Sequence, residues 1–227
     1  EAYTDVKFDQ SLSYFKSLAD YAYAFGINEF VICASAYQPW LDKVPGNTGG
    51  GRHYCINRNN PFWEYSKPFW DYQARNAYIM RQGKSSIQLC LYLGENAPVK
   101  ILTYRLPDIP GGFDFDAFTS DALFSRMEAR DGKIILPDGL SYEMMILPRN
   151  GDITLDALKK IASMVEKGVI VYGAKPSSSN SARDVGREEE YEKLADLLWG
   201  NNVSESGVNQ YGLGKVYWGI PLSKALN

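Results

Sequence analysis

The sequence predicts an α/β fold built on a mainly parallel sheet. Three short, mostly apolar runs carry this prediction, at residues 86–94, 141–148 and 168–173. Such runs are typical of strands that are covered on both faces. A clear helical pattern at 154–167 separates the second run from the third, and strands joined by crossover helices form parallel sheets. We therefore expect a layered α/β domain over residues 85–227.

The first 84 residues predict a helix and a strand. Apolar residues recur at helical spacing over 12–25, and Gly26 ends the pattern. Residues 27–34 then form an apolar run that is typical of a buried strand. Because one helix and one strand cannot form a core, we expect them to be the last members of a repeating α/β array.

A long irregular segment at residues 35–65 follows this strand. The next helix is predicted at 67–82, with Pro68 near its first turn. Loops of this length within a compact domain are usually functional or disordered. The segment contains many aromatic residues, which argues against simple disorder. We therefore expect an ordered loop with a functional role.

Local signals place the remaining elements of the α/β domain. The segment 110–116 follows the first strand of the sheet, so we expect it at the carboxyl edge, where α/β folds place functional loops. Thr154 is the natural cap of the 154–167 helix. The other expected elements are a short helix within 114–124 capped by Thr119 or Ser120, a hairpin at 127–136 around Asp131 and Gly132, a loop at 175–186, a helix at 187–199 with Leu197 among its core-facing residues, and a final strand at 215–219.

The composition is that of a globular chain. Of 227 residues, 45% are hydrophobic and 14% aromatic, which allows a sizeable core. A net charge of −3 gives no electrostatic footprint for nucleic acid or an anionic membrane, and no apolar run approaches the length of a membrane span. Three cysteines without paired spacing and a single histidine predict neither a disulfide framework nor a zinc site. The chain begins at Glu1 rather than Met, as in a processed protein or an excised piece.

Asp114 and Asp116 are candidate site residues. On an extended segment, residues two apart point to the same side, so the two carboxylates could bind a sugar, hold a cation or share a proton. The alternative is that both are turn and capping residues before the following helix, and the local sequence favours that interpretation.

Three further candidates each have a structural alternative. His53, beside Arg52 in a glycine-rich stretch, could bind an anion or transfer a proton, but no carboxylate lies near it in sequence, which favours an ordinary loop histidine. The loop aromatics, Trp40 among them, could stack on sugar rings or simply pack the loop onto a core. Cys90 lacks the strained turn of an exposed nucleophile and is expected to be a small buried hydrophobe.

Ordered motifs along most of the chain resemble one enzyme family. The chain is similar to the α-L-rhamnosidases of glycoside hydrolase family 106, first in the segment that closes their catalytic barrel and then in the α/β domain that follows it. The motifs that carry the resemblance are Gly26-Ile27-Asn28-Glu29-Phe30-Val31, Gln38-Pro39-Trp40, Pro45-Gly46, Asn57-Arg58, Trp63, Lys67-Pro68, Asp71-Tyr72, Ala74-Arg75, Tyr78, Gln82-Gly83, the 110–116 segment and the 136–142 segment.

The resemblance implies a large, exported bacterial enzyme, of the periplasm or cell surface, that cleaves terminal rhamnose from polysaccharides by inversion, with a calcium ion near the sugar. Two carboxyl groups flank the bond in such enzymes, and the family implies that both lie on earlier barrel strands. Residues 1–84 would then be a helix-strand-helix remnant of a (β/α) barrel. Residues 85–227 would be the accessory α/β domain, with a layered sheet of the flavodoxin-like or amidotransferase-like kind.

Two functional hypotheses follow. In the first, the chain is the carboxyl-terminal portion of a rhamnosidase-like glycosidase, inactive alone, and its partners are a carbohydrate and the rest of the barrel. In the second, it is a non-catalytic α/β module that scaffolds, oligomerises or binds carbohydrate. Neither hypothesis places a metal or cofactor within this chain. The candidate substrate-binding residues are Gln38, Trp40, His53, Asn57, Arg58, Asp114 and Asp116.

Overall fold

The computed structural model describes residues 1–4, 6–33, 35–50, 55–95, 108–148, 153–179, 181–201 and 203–226. The chain divides into two compact units, Glu1–Lys84 and Ser85–Asn227. Each unit has its own apolar core.

The described part of the first unit has two α-helices, a 3-10 turn at Trp63–Tyr65 and a small aromatic core. Helix α1 spans Leu12–Ala24 and helix α2 spans Lys67–Met80, so both predicted helices are confirmed to within two residues. The Tyr23 hydroxyl joins them, since it donates to the carbonyl oxygen of Gln73 at 3.0 Å. The core residues of this unit are Tyr3, Val6, Phe15, Cys55, Ile56 and Phe69.

The strand expected at residues 27–34 is wrong for the residues that the structure describes there. Ile32 forms an isolated parallel bridge with Ala2, in which Ala2 N donates to the Val31 oxygen at 2.8 Å and Cys33 N donates to the Ala2 oxygen at 2.9 Å. Val31 is 72% exposed rather than buried. An apolar run becomes a buried strand only where neighbouring chain pairs with it and covers it, and the described part of this unit supplies one bridge.

The second unit is built on two sheets. Its strands are β1 (Leu89–Tyr92), β2 (Phe115–Phe118), β3 (Glu128–Arg130), β4 (Lys133–Ile135), β5 (Ser141–Tyr142), β6 (Met144–Ile146), β7 (Ile170–Tyr172), β8 (Gly207–Tyr211) and β9 (Gly214–Trp218). Among the described residues, six strands form one sheet in the order β2-β1-β6-β7-β9-β8, and β3, β4 and β5 form a small antiparallel sheet. All neighbours in the larger sheet are parallel except β8 and β9.

The three predicted apolar runs are confirmed as adjacent parallel strands. They contain β1, β6 and β7, whose register aligns Cys90 with Met145 and Met145 with Val171. The hairpin around Asp131 and Gly132 is also confirmed, as β3 and β4. The 141–148 run, however, divides into β5 of the small sheet and β6 of the large one.

The 110–116 segment was expected at the carboxyl edge of the sheet, and this prediction is wrong. The segment leads into β2, a strand that was not predicted. Phe115 opens β2 and pairs with Leu89 at the start of β1. In a parallel sheet, residues that lead into a strand lie at the amino edge. Asp114 therefore lies at the edge opposite to the predicted one, and Asp116 lies within the strand.

Helices cover one face of the large sheet. These are α3 (Ser120–Ser125), α4 (Leu155–Glu166) and α5 (Glu188–Trp199), which pack through Leu123, Leu158 and Leu198 onto the face that carries Cys90 and Val171. Thr119 precedes α3 as its cap residue, and Thr154 caps α4 by accepting from Ala157 N at 3.3 Å. Leu197 is 55% exposed, contrary to expectation, because it lies outside the buried stripe of α5 that Tyr191 and Leu198 form.

The opposite face of the sheet is covered differently. Leu89 and Leu91 alternate with Cys90 along β1 and point to this face, where they join Met144 and Ile146. Of the described helices, the short α6 (Leu222–Ala225) packs here through Leu222 and Ala225. Within the described residues, the helical cover of this face is therefore a single turn.

Candidate functional site

Gln38 lies at the centre of the loop that the sequence marked as functional. Its side chain is buried, with Nε2 donating to the Asn47 oxygen at 2.5 Å and Oε1 accepting from Asn47 N at 2.9 Å. The same Oε1 accepts from Asn59 Nδ2 at 3.2 Å. The Gln38 side-chain amide therefore fixes the shape of the loop, because it joins Gln38 to Asn47 and Asn59.

Arg58 and Asn59 hold the rest of this loop from its other side. Arg58 Nη2 donates to the carbonyl oxygens of Gln38 at 2.8 Å and Trp40 at 3.0 Å. Asn59 Nδ2 also lies within hydrogen-bond distance of the oxygens of Lys43, at 3.3 Å, and Pro45, at 3.1 Å. We call Gln38, Asn47, Arg58 and Asn59 the polar frame of the 37–47 loop.

The polar frame leaves room for glycine alone at position 46. Gly46 has a φ of 74°, and a Cβ there would lie 2.2 Å from Gln38 Oε1 and 2.6 Å from Asn59 Nδ2. Both the backbone conformation and the space therefore require glycine. The Pro45-Gly46 motif of the sequence thus has a structural explanation in the frame.

The side chains that the frame does not use point outward. Tyr37, Leu41 and Val44 are exposed, and Trp40 keeps 46% of its surface exposed. Lys43 Nζ lies 5.0 Å from the centre of the Trp40 ring, a cation–π distance. Exposed aromatic and aliphatic groups on a constrained backbone are typical of a recognition surface.

Asn57 and Asn60 shape the chain just before α2. Asn57 is buried and its Oδ1 accepts from Asn59 N at 2.9 Å, while Asn60 Oδ1 accepts from Phe62 N at 3.2 Å. These are local turns of the kind asparagine favours. Asn60 Nδ2 is buried and has no hydrogen-bond partner among the residues that the structure describes.

Four of the predicted substrate-binding residues lie together in one loop cluster: Gln38, Trp40, Asn57 and Arg58. Asn47, Asn59 and Lys43 were not among the predicted residues, although the density of amides between 47 and 60 was a usable signal. His53 lies outside the described residues.

Asp114 and Asp116 belong to the second unit, where each has its own partner. Asp114 Oδ1 accepts from Phe115 N at 2.8 Å, which is a local cap at the start of β2. Asp116 Oδ2 accepts from the Tyr142 hydroxyl at 2.8 Å. Burial, and then the hydrogen bond and charge of Asp116, raise the pKa of Tyr142, so this phenol stays protonated as the donor. These contacts favour the structural interpretation of both aspartates.

Cys90 lies on β1 and is fully buried. It is paired with Asp116 of the neighbouring strand β2. Burial raises the pKa of its thiol well above the ordinary value, and the charge of Asp116 adds to the shift. A thiol that remains protonated and has no contact with solvent is unreactive. The structure thus agrees with its interpretation as a small core residue.

Carboxylates of this chain close the amino end of α4. Glu95 Oε2 accepts from Thr154 N at 2.7 Å, and Asp184 Oδ2 accepts from Leu155 N at 2.9 Å and from Ser179 Oγ at 2.5 Å. Burial alone raises the pKa of Asp184, which is 7% exposed, but these hydrogen bonds and the charge of Arg187 outweigh it and hold the pKa below the ordinary value. The end of this helix, a common anion site, is occupied by the protein's own groups.

The described residues provide neither a cluster of metal-ligating side chains nor a membrane-spanning helix. No group of three or more His, Cys, Asp or Glu side chains in the described ranges could hold a metal ion. None of the described helices is both long and apolar enough to cross a membrane.

Comparisons with known proteins agree on one family. All of residues 1–227 match a family model for glycoside hydrolase family 106, described as alpha-L-rhamnosidase. A relative from Formosa agariphila, named "Putative beta-glucuronidase", is 33% identical over 206 residues, which cover 89% of this chain and 17% of the relative. The solved rhamnosidase of Novosphingobium sp. PP1Y superposes with a TM-score of 0.80 at 24% identity, over 98% of this chain and 21% of that one. The chain thus shares that fold and spans about a fifth of these relatives or less.

Proposed function

Because the chain belongs to the alpha-L-rhamnosidase family of glycoside hydrolases, we propose that it is the carboxyl-terminal portion of a longer glycosidase that removes terminal rhamnose from polysaccharides. The observation that carries this proposal is the family match along the whole chain, combined with its coverage of 17% and 21% of two much longer relatives. The first unit would then close a catalytic barrel, and the second would be the accessory α/β domain.

In this proposal the chain supplies a substrate-side loop rather than the reacting carboxyl groups. Inverting glycosidases need one carboxyl group to protonate the leaving oxygen and a second to activate water on the other side of the sugar. Asp114 and Asp116 instead hold a backbone amide and a tyrosine hydroxyl. We therefore expect the acid and the base to come from other parts of the longer protein, and the isolated chain to be inactive.

The 37–47 loop is the part of the chain that we propose contacts the sugar. Trp40 offers an aromatic surface against which the apolar face of a pyranose can stack. The polar frame sets the position of Trp40 before a sugar arrives, which lowers the entropy lost on binding. Gln38 and Arg58 act here mainly as positioning residues, because their described hydrogen bonds go to the loop itself.

Calcium, which the family resemblance implies, usually takes several carboxylate ligands, and the described residues provide no group of three or more acidic, His or Cys side chains that could hold it. A calcium site would have to draw its ligands from elsewhere in the longer protein. No step assigned to this chain depends on the ion.

A second candidate function concerns the substrate. One relative is named a beta-glucuronidase, which makes cleavage at a uronic acid the alternative to cleavage at rhamnose. The non-catalytic hypothesis remains the alternative for the isolated chain, and the structural use of both aspartates favours it there.

The deciding experiment compares the 227-residue chain with the longer parent protein on two aryl glycosides, an α-L-rhamnoside and a β-D-glucuronide. We expect the parent to hydrolyse the rhamnoside with inversion, and the isolated chain to release no phenol above background. Turnover by the isolated chain would show that the catalytic groups lie within it. Cleavage of the glucuronide alone by the parent would establish the second candidate.

A further inference from the structure

The 37–47 loop combines a constrained backbone with an unusually apolar exterior. The polar frame binds its carbonyl groups at positions 38, 40, 43, 45 and 47. Its outward side chains include Tyr37, Trp40 and Leu41, and Leu41 is 90% exposed. A loop that only connects two elements has no need of such bracing. Bracing does benefit a binding surface, because its geometry is then fixed before the ligand arrives.

The charged side chains of the 37–47 loop are those of Asp42 and Lys43, both exposed, and Lys43 is the one that lies over the Trp40 ring. Its ammonium group lies 5.0 Å from the centre of the Trp40 ring. Within the described part of the chain, no ion pair involves Lys43, whereas Lys16 and Lys67 of the same unit each pair with an aspartate four residues away, at 2.5 and 2.6 Å. Lys43 therefore presents a positive charge beside an exposed indole, and no described carboxylate, Asp42 included, lies within ion-pair distance of its ammonium group.

We propose that Trp40 and Lys43 form a subsite for a sugar that carries a carboxylate, that is, a uronic acid unit of the polysaccharide. The inference rests on the proposed function and names the sugar class that its loop recognises. The indole supplies stacking for the apolar face of a pyranose, and the ammonium supplies a charge-assisted hydrogen bond to the carboxylate. A neutral sugar of the same ring shape could use only the first of these contacts.

Charge complementarity is the reason for choosing an acidic sugar over a neutral one. Arg58, the neighbouring cation, already donates to the backbone oxygens of Gln38 and Trp40, so it serves the loop rather than the ligand. Lys43, in contrast, contributes its carbonyl oxygen to the frame and leaves its ammonium group outside it. Arg58 thus positions the loop, and Lys43 carries the charge that would recognise the ligand.

The test compares two sugars that differ only in the carboxylate, methyl β-D-glucuronide and methyl β-D-glucoside. Each is titrated into the 227-residue chain, and binding is read from the NMR signal of the Trp40 indole N–H, assigned with a Trp40→Phe variant. We expect the glucuronide to bind about tenfold more tightly than the glucoside, as one charge-assisted hydrogen bond allows. Lys43→Gln should abolish this preference, and Lys43→Arg should keep it.

Matched variants separate the subsite from general surface charge. Lys16→Gln removes a lysine of the same unit that is already paired with Asp20, and it should leave the preference unchanged. Equal shifts of the Trp40 signal by the two glycosides would overturn the proposal, and so would the absence of any shift in a chain whose spectrum is well dispersed. If the isolated chain gives a poorly dispersed spectrum, the same titration is made on the parent protein by calorimetry, with the same variants and the same criteria.

Hydrolysis by the parent keeps the two proposals distinguishable. If the parent cleaves the rhamnoside but the glucuronide binds no better than the glucoside, the acidic subsite is wrong and the proposed function stands. If the glucuronide binds through Lys43 but the parent cleaves neither aryl glycoside, the subsite stands and the proposed function is wrong.

Discussion

Arg58 donates from Nη2 to the carbonyl oxygen of Trp40, eighteen positions earlier in the sequence, at 3.0 Å. The same nitrogen also donates to the Gln38 oxygen at 2.8 Å. One guanidinium group therefore sets the position of the aromatic residue that we propose contacts the sugar. We assign sugar binding to Trp40 and the placement of Trp40 to Arg58. A comparison of sequences alone would not distinguish these two roles.

Substitution at Arg58 and Trp40 should affect the parent enzyme in different ways. Trp40→Ala should lower kcat/KM by about tenfold through the loss of stacking, with little change in Tm because the side chain is half exposed. Arg58→Ala should lower both kcat/KM and the free energy of unfolding of the first unit, the latter by about 1 kcal/mol for the lost hydrogen bonds at this exposed site. Steady-state kinetics and thermal melts provide the two readouts. Unchanged activity in both variants, with a lower Tm for Arg58→Ala, would reduce the loop to a structural role.

Gly46→Ala should destabilise the first unit more than Gly50→Ala does. Both glycines have a positive φ, 74° and 67°, so both substitutions carry a similar backbone cost of about 1 kcal/mol. A Cβ at position 46 also collides with Gln38 Oε1 and Asn59 Nδ2, whereas a Cβ at position 50 has no neighbour within 4 Å among the described residues. We expect an additional loss of about 1–3 kcal/mol for Gly46→Ala. Equal denaturation midpoints for the two variants would mean that the polar frame is not rigid.

Asp184 should make the stability of the second unit depend on acid pH. Its folded-state pKa lies below the ordinary value, so the unfolded chain takes up the proton first as the pH falls. The stabilisation is therefore complete above the ordinary carboxyl pKa of 3.8 and is lost as the pH falls from there through the folded pKa. Asp184→Asn should cost about 2 kcal/mol at neutral pH, from weakened hydrogen bonds to Leu155 and Ser179, and should remove this part of the acid dependence.

Asp121→Asn is a matched control for the effect of Asp184, since Asp121 is an exposed aspartate in the first turn of α3. Urea denaturation of each variant across the acid range is the measurement. A control that loses as much stability as Asp184→Asn, with the same pH profile, would contradict the assignment.

Replacement of Asp114 or Asp116 by Asn should leave the activity of the parent within about twofold, because both carboxylates have structural partners. Asp116→Asn should instead lower stability by about 1 kcal/mol, through a weaker acceptor for the Tyr142 hydroxyl. Rates on the aryl rhamnoside and thermal melts check the two parts. A loss of several hundredfold in kcat for either variant would move the active site into this chain.

The sequence by itself determined the elements whose signal is local. The runs that became β1, β6 and β7 are apolar on both faces, and α4 combines an apolar stripe with Thr154 at its cap. Each of these patterns lies within about fifteen residues, so it can be identified without knowledge of the partner segments. The ordered motifs of the loop and the α/β domain likewise indicated the family.

Only the tertiary structure decided the elements and contacts that depend on distant residues. β2 and β8 are strands because β1 and β9 offer them an edge, and their own residues are of mixed polarity. Residues 27–33, in contrast, are apolar but form one bridge with Ala2 in the described chain. The bonds from Gln38 to Asn59 and from Asp184 to Leu155 join residues 21 and 29 positions apart. The physical reason is that pairing and side-chain hydrogen bonds depend on where the chain folds back, whereas helical and buried-strand patterns depend on the residues of the segment itself.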